Sequence, residues 1–258
     1  MNIKNLFVSD VHLGSCHSST AEFLEFLNEI YNNQKIEKIY IIGDFIDGWK
    51  LKRNWFWNNE SNLVLRKILG FLRKNTEIFY IAGNHDEFLR IFIEDFKIGD
   101  FGSIHIGNEF IHISKNNRKM LVIHGDFFDF ATKYARWLCV LGDIGYDLLL
   151  KINSVVAKFR KKFKMKHWSL SKAIKHNVKK TINYIGDYEN AVVGYARNKK
   201  CDGCLCGHIH TAEMHIVDNF LYANTGDWVE SCTAILEDEK GYFYLYSFRE
   251  KSFSKGFK

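Results

Sequence analysis

The stretch IYIIGDFID, residues 39–47, joins a short apolar run to a polar end. Residues 39–42 predict a buried strand, which Gly43 and Asp44 bring to an end. A glycine in such a place lets the backbone turn sharply and approach a ligand closely. Two carboxylates, those of Asp44 and Asp47, therefore stand just beyond the end of a predicted strand.

The same pattern recurs on both sides of this stretch. Short apolar runs predict further buried strands at residues 3–9 and 78–82. Between the three strands, residues 20–31 and 62–73 carry apolar side chains at helical spacing and predict two amphipathic helices. Strands and helices that alternate in this order are typical of a parallel α/β arrangement.

The second half of the chain departs from this alternation. Residues 103–124 predict short strands, residues 129–199 have a mostly helical pattern, and strands resume over residues 202–247. The polar residues 249–258 are expected to fray. Because 258 residues suit one large domain, we expect a single domain over the whole chain, with a helical insertion at about residues 129–186.

The predicted insertion is strongly basic. Residues 148–186 contain eleven Lys and Arg and no Asp or Glu, although the whole chain has a net charge of only +6. Within this segment, residues 158–168 read KFRKKFKMKHW, so aromatic and basic side chains are interleaved. Such a helix suits an anionic partner, whether a membrane surface, nucleic acid or a phosphorylated substrate. A helical cap with a solvated basic face explains the charge equally well.

Composition favours a cytoplasmic protein. The N-terminus lacks the apolar run of a signal peptide, and no stretch of about 18 apolar residues predicts a transmembrane helix. The six cysteines are scattered along the chain, which is more typical of a reducing compartment than of a disulfide framework. We therefore expect a cytoplasmic location, with the basic segment as a means of peripheral contact with an anionic inner-membrane surface.

Five short motifs carry residues that can bind metals, and each follows an apolar run. Residues just beyond the carboxyl ends of strands converge on one crevice in open α/β sheets. Any one of these motifs could be a strand-end cap or a plain turn, but five in one chain indicate a common site. The motifs are Asp10-x-His12, Gly43-Asp44-x-x-Asp47, Gly83-Asn84-His85-Asp86, His124-Gly125-Asp126 and Gly207-His208-x-His210.

The chemistry of these side chains favours a metal centre. Carboxylates, imidazoles and an amide oxygen suit Mn²⁺, Fe²⁺ or Zn²⁺ without any thiolate. The side chains are too many for one ion, whereas two ions about 3.5–4 Å apart would use them all. Such a pair lowers the pKa of bound water and offsets negative charge on a phosphoryl group under attack.

The stretch CDGCLCGHIH, residues 201–210, raises the alternative of a structural zinc site. A zinc site of that kind needs a second pair of ligands at suitable spacing, and the other cysteines stand singly. Cys204 and Cys206 fit a buried strand, in which a thiol behaves as a small apolar group. His208 and His210 then follow the strand end.

The five motifs and their order resemble those of the calcineurin-like metallophosphoesterase superfamily. This resemblance implies an α/β fold, a metallophosphoesterase-type β-sandwich flanked by helices. It implies two divalent metal ions, most simply Mn²⁺, with Asp44 bridging them. One ion would be held by Asp10, His12, Asp44 and His210, and the other by Asp44, Asn84, His124 and His208.

The resemblance also implies roles for residues beside the ligands. His85 would stabilise the transition state or protonate the leaving oxygen, and Asp86 would orient His85. Asp47 would not bind a metal ion itself; it would support the metal ligands by fixing the geometry of its loop.

The sequence around the motifs is similar to that of one bacterial branch of the superfamily, the UDP-2,3-diacylglucosamine diphosphatases. The similar stretches include GDFIDGWKLKRNWFW (residues 43–57), GNHDEFLR (residues 83–90) and NTGDWVES (residues 224–231). Those enzymes cleave a UDP-linked acylated sugar to UMP and 2,3-diacylglucosamine 1-phosphate, and a helical lid covers the acyl chains. The insertion at 129–186 matches that lid. The resemblance implies a lipid A role, with neither nucleic acid nor an obligate protein partner. The candidate substrate contacts are Asn84, Asp129, Lys175 and Lys179.

One position departs from the branch pattern. The best-known members have G-N-R-D, whereas this chain has His85 after Asn84, as the wider superfamily does. A metal-dependent phosphodiesterase or nuclease acting on a soluble or nucleotide substrate is therefore the alternative, and a non-catalytic binding module is a third.

The loop after Asp47 is rich in tryptophan. Trp49, Trp55 and Trp57 suit an apolar wall for an acyl chain, a stacking surface for uracil, or simple loop packing.

Overall fold

The structure, a computed structural model, describes residues 1–94, 100–128, 185–186 and 188–258. Met1–Asp126 with Ala191–Lys258 form one compact unit, and Phe127–Asn190 form a second. The predicted helical insertion at 129–186 falls almost wholly outside the described residues, as do Asp129, Lys175 and Lys179. Within the described part of the chain, no helix is both long enough and apolar enough to cross a membrane.

The first unit is built on two mixed β-sheets, one of eight strands and one of five. The strands of the larger sheet are β1 (Ile3–Val8), β2 (Lys38–Ile42), β3 (Glu77–Ile81), β4 (Asp100–Phe101), β5 (Ile104–Gly107), β11 (Thr233–Asp238), β12 (Phe243–Ser247) and β13 (Ser252–Phe253). Those of the smaller are β6 (Glu109–Ile113), β7 (Lys119–Ile123), β8 (Gly203–Cys206), β9 (Glu213–Val217) and β10 (Phe220–Asn224). The larger sheet has the order β13-β12-β11-β1-β2-β3-β5-β4, and the smaller has the order β6-β7-β8-β10-β9.

Parallel pairing forms the centre of each sheet. In the larger sheet β1, β2, β3 and β5 pair in parallel, and in the smaller β7, β8 and β10 do so. The strand–helix alternation predicted for the first half of the chain is confirmed, with bounds within three residues of those expected. The helices are α1 (Thr20–Asn33), α2 (Gly48–Arg53), α3 (Asn59–Leu72) and α4 (Arg90–Glu94), and residues 188–198 are also helical.

Two apolar layers hold these elements together. One lies between the larger sheet and α1 and α3, where Phe23, Phe26 and Trp228 are fully buried. The other contains side chains of both sheets, among them Phe7 from β1 and Leu205 from β8. The result is a β-sandwich with helices on an outer face, which is the fold class that the sequence predicted.

Two local expectations need correction. The C-terminal residues 249–258 are not frayed, because β13 pairs with β12 and Phe257 bridges back to Phe243. The short helix α2 was not expected, and the Asp47 side chain caps it by accepting a hydrogen bond from the Lys50 amide at 2.9 Å.

Candidate metal centre

The first loop of the site follows β1 and carries Asp10 and His12. One oxygen of Asp10, Oδ2, accepts hydrogen bonds from the Ser9 hydroxyl and from the His208 amide, the latter at 2.9 Å. The other oxygen, Oδ1, lies 3.3 Å from His210 Nε2. Because one oxygen is held by the protein, the second is directed toward the histidines. Asp10, His12 and His210 bring ligand atoms within 4.8 Å of one another.

The second loop follows β2 and carries Asp44. Its Oδ2 lies 3.4 Å from His124 Nε2, and its Oδ1 accepts the His85 amide at 2.8 Å. His124 Nδ1 lies 2.8 Å from the Ile42 carbonyl oxygen, which can only accept, so Nδ1 carries the proton and Nε2 faces Asp44. Asp44, His124 and His208 form a second group with ligand atoms within 4.8 Å.

A third group joins the first two. His12, Asp44 and His85 also bring ligand atoms within 4.8 Å of one another. Asp44 therefore belongs to two groups and His12 to two, so the three groups form one continuous centre. This arrangement places Asp44 between the histidines of the first loop and those of the smaller sheet.

Asp47 supports two imidazoles at once. Its Oδ1 lies 2.9 Å from His85 Nδ1, and its Oδ2 lies 3.4 Å from His12 Nδ1. Burial opposes the charge on Asp47, but the hydrogen bonds from His12 and His85 outweigh burial and hold the pKa of this carboxyl well below its usual range. Asp47 is thus an ionised acceptor that fixes how both rings are turned.

Asp86 does not orient His85, which corrects the expectation from the sequence. Its buried carboxylate accepts hydrogen bonds from the Gly83 amide at 2.6 Å, the Phe45 amide at 2.9 Å and the Tyr80 hydroxyl at 2.7 Å. Burial and the nearby charge of Asp44 raise the pKa of Asp86. Asp86 therefore ties the loop after β3 to the loop after β2.

The backbone of the site is strained at five non-glycine residues. Left-handed backbone is uncommon outside glycine, and it clusters at functional sites where the surrounding fold enforces it. The fold thus holds these side chains in directions that an ordinary turn would not give. Positive φ angles between 51° and 72° occur at Asp10, His12, Asp44, His208 and His210.

Close packing of the loops leaves no room for a side chain at Gly83. A Cβ there would lie 2.2 Å from Asp44 Oδ1 and 2.7 Å from the Asp44 amide nitrogen. These distances are far below van der Waals contact, so a glycine is needed where the loop after β3 crosses Asp44.

The residues of the site fit the metal ions that the resemblance implies. His12 Nε2 and Asn84 Oδ1 are buried, yet they make no hydrogen bond within the described ranges. A buried polar atom without a hydrogen-bond partner lowers the stability of the fold by roughly 1–3 kcal/mol unless another partner, such as a metal ion, satisfies it. A carboxylate oxygen, an imidazole nitrogen and an amide oxygen are suitable ligands for a divalent cation. The side chains therefore have the chemistry of a divalent metal centre.

The electrostatics of the centre favour ionised carboxylates beside cationic or metal-bound partners. Burial opposes the charge on Asp44, but the charge and hydrogen bond of His124 outweigh it and hold the pKa of Asp44 well below its usual range. Burial lowers the pKa of His210, but the hydrogen bond and charge of Asp10 raise it to about 8 overall. Such mutual dependence of buried acids and histidines is common at functional sites.

Three supporting residues were not singled out from the sequence. Ser9 fixes Asp10, as described above, and the buried Asp227 lies with its Oδ2 3.8 Å from His210 Nδ1. Arg90 donates hydrogen bonds to the Ala82 carbonyl at 3.1 Å and to Asp126 at 2.7 Å. Asp227 follows a strand end in the same way as the five motifs, which is the signal that could have identified it.

Cys204 and Cys206 are both fully buried in β8. Their position agrees with a packing role. Among the described residues, the groups that could hold a metal ion contain histidine and aspartate and include no cysteine.

Comparisons with known proteins place the chain in a family. Residues 3–212 match the family described as calcineurin-like phosphoesterase. The UDP-2,3-diacylglucosamine hydrolase of Psychromonas ingrahamii is 24% identical over 220 residues, which cover 83% of this chain and 83% of that protein. The hydrolase of the same name from Haemophilus ducreyi is 24% identical over 254 residues, which cover 93% of this chain and 98% of that protein.

Among solved structures, a phosphoesterase from E. coli is 14% identical, with a TM-score of 0.49, and the match covers 99% of this chain and 98% of that one. The family match and the metal centre coincide along the sequence, because the match extends from before Asp10 to beyond His210. The chain belongs to the calcineurin-like phosphoesterase family and is a metal-dependent hydrolase.

Proposed function

We propose that this hydrolase cleaves the pyrophosphate of UDP-2,3-diacylglucosamine and releases UMP and 2,3-diacylglucosamine 1-phosphate. The observation that carries this proposal is the similarity, over 83% and 93% of this chain, to two proteins named UDP-2,3-diacylglucosamine hydrolase. The continuous centre around Asp44 supports it, because phosphoryl chemistry needs positive charge placed against the reacting group.

We infer that two divalent ions, most simply Mn²⁺, are held by the side chains of this centre. Asp10, His12 and His210 would hold one ion and His124 and His208 the other, with Asp44 shared. The buried amide oxygen of Asn84 would be a further ligand of the second ion. When bound, such ions supply an activated water near neutral pH and offset the charge that develops on the phosphoryl oxygens.

His85 is the proposed acid of the reaction. Hydrolysis adds water to one phosphorus, breaks the bridging P–O bond and leaves an electron pair on the departing oxygen, which then needs a proton. Because Asp47 accepts from Nδ1 of His85, the opposite nitrogen, Nε2, is turned toward the centre, 3.9 Å from Asp44 Oδ2. An imidazolium held in this way can deliver the proton from Nε2 and remain as the neutral ring, with its other proton on Nδ1 shared with Asp47. Asp47 thus acts through His85 and not on the substrate.

The remaining elements of the proposal concern substrate recognition. We propose a single domain in which the insertion at 129–186 covers the acyl chains as a lid, and in which Asn84, Asp129, Lys175 and Lys179 contact the substrate. The basic charge of residues 148–186 supports this, because the substrate carries two phosphates. A cytoplasmic enzyme in peripheral contact with an anionic membrane surface would meet this substrate directly.

A direct assay tests the proposal. The purified full chain would be supplied with Mn²⁺ and UDP-2,3-diacylglucosamine, and release of UMP would be followed by chromatography. Unacylated UDP-N-acetylglucosamine and bis(p-nitrophenyl) phosphate would be run in parallel. UMP released from the acylated substrate in strong preference to both would support the proposal.

The alternative function is a metal-dependent phosphodiesterase or nuclease on a soluble or nucleotide substrate. It is favoured by His85, which stands where the best-known diacylglucosamine diphosphatases have arginine. Efficient hydrolysis of bis(p-nitrophenyl) phosphate or an oligonucleotide, without UMP release from the acylated substrate, would replace the proposed function with this one.

A further inference from the structure

The three tryptophans after Asp47 lie in three different environments. Trp57 packs against the apolar core, and its ring nitrogen donates to Asn62 Oδ1 at 2.9 Å. The ring of Trp49 lies over the ring of His85, with centroids 4.1 Å apart. Trp55, in contrast, is 75% exposed. Loop packing therefore accounts for Trp57, and a separate explanation is needed for Trp55.

Residues 48–57, which we name the rim segment, combine exposed aromatic and basic side chains. Phe56, next to Trp55, is 38% exposed, so two successive large rings both reach the surface. Lys50, Lys52 and Arg53 end α2 just before them. The rim segment contains no Asp or Glu. A contiguous apolar patch bordered by charged side chains marks an interaction site more often than single exposed apolar side chains do.

The rim segment lies directly against the metal centre. Besides the contact of Trp49 with His85, the Gly48 amide donates to the His85 carbonyl at 3.0 Å. Leu51 lies over Gly14, where an added Cβ would be 2.7 Å from Leu51 Cγ. Gly14 adopts a φ of +97° in the loop that carries Asp10 and His12. The rim segment is therefore fixed to two of the loops that form the centre.

We propose that the rim segment is a membrane-docking surface, in which Trp55 and Phe56 enter the headgroup region of an anionic lipid bilayer while Lys50, Lys52 and Arg53 contact the lipid phosphates. This inference rests on the proposed function in one respect, since a substrate with two acyl chains resides in a lipid surface. The contact would bring that surface to the edge of the metal centre beside His85.

Charge and side-chain type favour a lipid surface as the partner. Tryptophan prefers the membrane interface, where its ring is apolar and its N–H meets water or headgroups. Basic residues in the same segment add attraction to anionic lipids that falls with salt. Single-stranded nucleic acid also binds cations and aromatic rings, so an oligonucleotide is included below as a competing outcome.

Vesicle flotation of the full chain tests the proposal. Vesicles of phosphatidylethanolamine and phosphatidylglycerol would be compared with neutral phosphatidylcholine vesicles at low and high salt. We expect binding to the anionic vesicles that weakens with salt. The double variant Trp55→Ser with Phe56→Ser should lose most of this binding. Lys52→Glu should lower partitioning about fivefold or more, because it replaces an attractive charge with a repulsive one.

A matched control uses another exposed apolar and basic pair of the same chain. Leu69 is 51% exposed on α3, and Arg66 lies one turn before it, within a groove between α1 and α3. The variant Leu69→Ser with Arg66→Glu should bind vesicles as the wild type does. The proposal is overturned if the rim variants bind vesicles normally, if only the α3 variant loses binding, or if the wild type binds an oligonucleotide but no vesicle.

The test separates this surface from the proposed reaction. Lys52→Glu and the Phe56→Ser single variant should hydrolyse bis(p-nitrophenyl) phosphate in solution at the wild-type rate. If vesicle binding follows the rim residues but UDP-2,3-diacylglucosamine is not cleaved, the proposed substrate is wrong and the docking surface stands. If the acylated substrate is cleaved while the rim variants bind vesicles normally, the docking surface is wrong and the proposed reaction stands.

Discussion

Asp47 and His85 are joined by a hydrogen bond of 2.9 Å between Oδ1 and Nδ1, although 38 residues separate them in the sequence. The second oxygen of the same carboxylate lies 3.4 Å from His12 Nδ1. One acid therefore sets the orientation of two imidazoles that belong to different loops. Partners of this kind fix which nitrogen of a histidine carries its proton.

Substitution of Asp47 by asparagine should reduce turnover by about 10- to 100-fold, which is the usual effect of losing a carboxylate that is hydrogen-bonded to a functional histidine. An amide has only one acceptor oxygen, so the substituted side chain cannot accept from both His12 and His85 and must turn its NH₂ toward one of them. Steady-state kinetics should show the loss in kcat more than in KM, together with an altered pH profile.

A control separates this effect from the loss of a helix cap. Asn58 caps α3 by accepting from the Ser61 amide at 2.9 Å, much as Asp47 caps α2. Asn58→Ala should cost about 1 kcal/mol of stability and leave kcat unchanged. If Asp47→Asn merely lowered the melting temperature as Asn58→Ala does, with full activity, the orienting role of Asp47 would be excluded.

Replacement of His85 by alanine should leave the metal content nearly intact and remove most turnover. If His85 protonates the leaving oxygen, the loss should be about 100-fold or more for a diester with a poor alkyl leaving group, which needs the proton. It should be much smaller for a p-nitrophenyl diester, whose leaving group is stable as an anion. Metal analysis and the two substrates together provide the measurement.

The matched control for His85 is a histidine outside the centre. His215 lies in β9 and should tolerate alanine without any change in rate. An equal loss on both leaving groups in His85→Ala would instead assign His85 to stabilising charge in the transition state, and a normal rate on both would remove it from the reaction.

The sequence predicts the elements and the ligand-bearing loops because both depend on local patterns. Apolar runs followed by Gly and Asp mark strand ends, and parallel strands bring their carboxyl ends to one edge of a sheet. Asp10, Asp44 and His124 follow β1, β2 and β7 as that rule requires. Their groups of ligand atoms within 4.8 Å agree with the expected convergence.

The orientation of individual side chains could not be predicted, because it depends on contacts between loops that are distant in sequence. Asp86 adjoins His85 along the chain and was expected to orient it, yet its carboxylate turns away to Tyr80 and the Phe45 amide. Asp47 takes that role instead. The left-handed backbone at Asp10 and Asp44 likewise follows from packing between loops.

Substitution of Gly83 by alanine should destabilise the protein and weaken metal binding. The new Cβ would lie 2.2 Å from Asp44 Oδ1 and 2.7 Å from the Asp44 backbone nitrogen, so Asp44 would have to move. Overpacking of this kind costs about 1–3 kcal/mol. Thermal unfolding and metal content should both decrease.

The control for this variant is Gly194→Ala, in the helix at residues 188–198. A Cβ at Gly194 has nothing within 4 Å, so alanine should leave stability unchanged or raise it by up to about 1 kcal/mol through its better helix propensity. Normal metal content and stability in Gly83→Ala would contradict the close approach of the two loops.

Asp44→Asn should cost both metal and activity. The carboxylate faces His124 at 3.4 Å and belongs to two of the three groups of ligand atoms. Substitution of a residue that only orients a metal ligand lowers activity about 10- to 100-fold. Loss of a shared ligand itself should therefore lower the rate by more than about 100-fold. A chelator should abolish wild-type activity, and added Mn²⁺ should restore it in the wild type but not in the variant.

Metal content distinguishes the two ways in which this variant could fail. Loss of metal together with rate would support a shared position for Asp44, whereas full metal content with full rate would exclude it. Asp10→Asn is the appropriate comparison, because Asp10 belongs to only one group and should affect a smaller share of the bound metal.

Metal affinity of the apoprotein should fall as pH decreases through about 8. The pKa of His210 is raised to about 8, because the hydrogen bond and charge of Asp10 outweigh the effect of burial. The raised pKa means that His210 is protonated below pH 8, and a metal ion must displace that proton to use the nitrogen. Each displaced proton lowers apparent affinity by about tenfold per pH unit below the pKa.

Titration with Mn²⁺ between pH 6 and 9 checks this expectation by calorimetry in buffers with different ionisation enthalpies. Binding at pH 7 should release more protons to the buffer than binding at pH 9, because His210 has already lost its proton at the higher pH. His210→Asn should remove one proton from the release at pH 7 and make the pH dependence of affinity shallower, because an amide does not titrate. If affinity is independent of pH in the wild type, or if His210→Asn releases as many protons, His210 does not exchange its proton for a metal ion and is not a ligand of the centre.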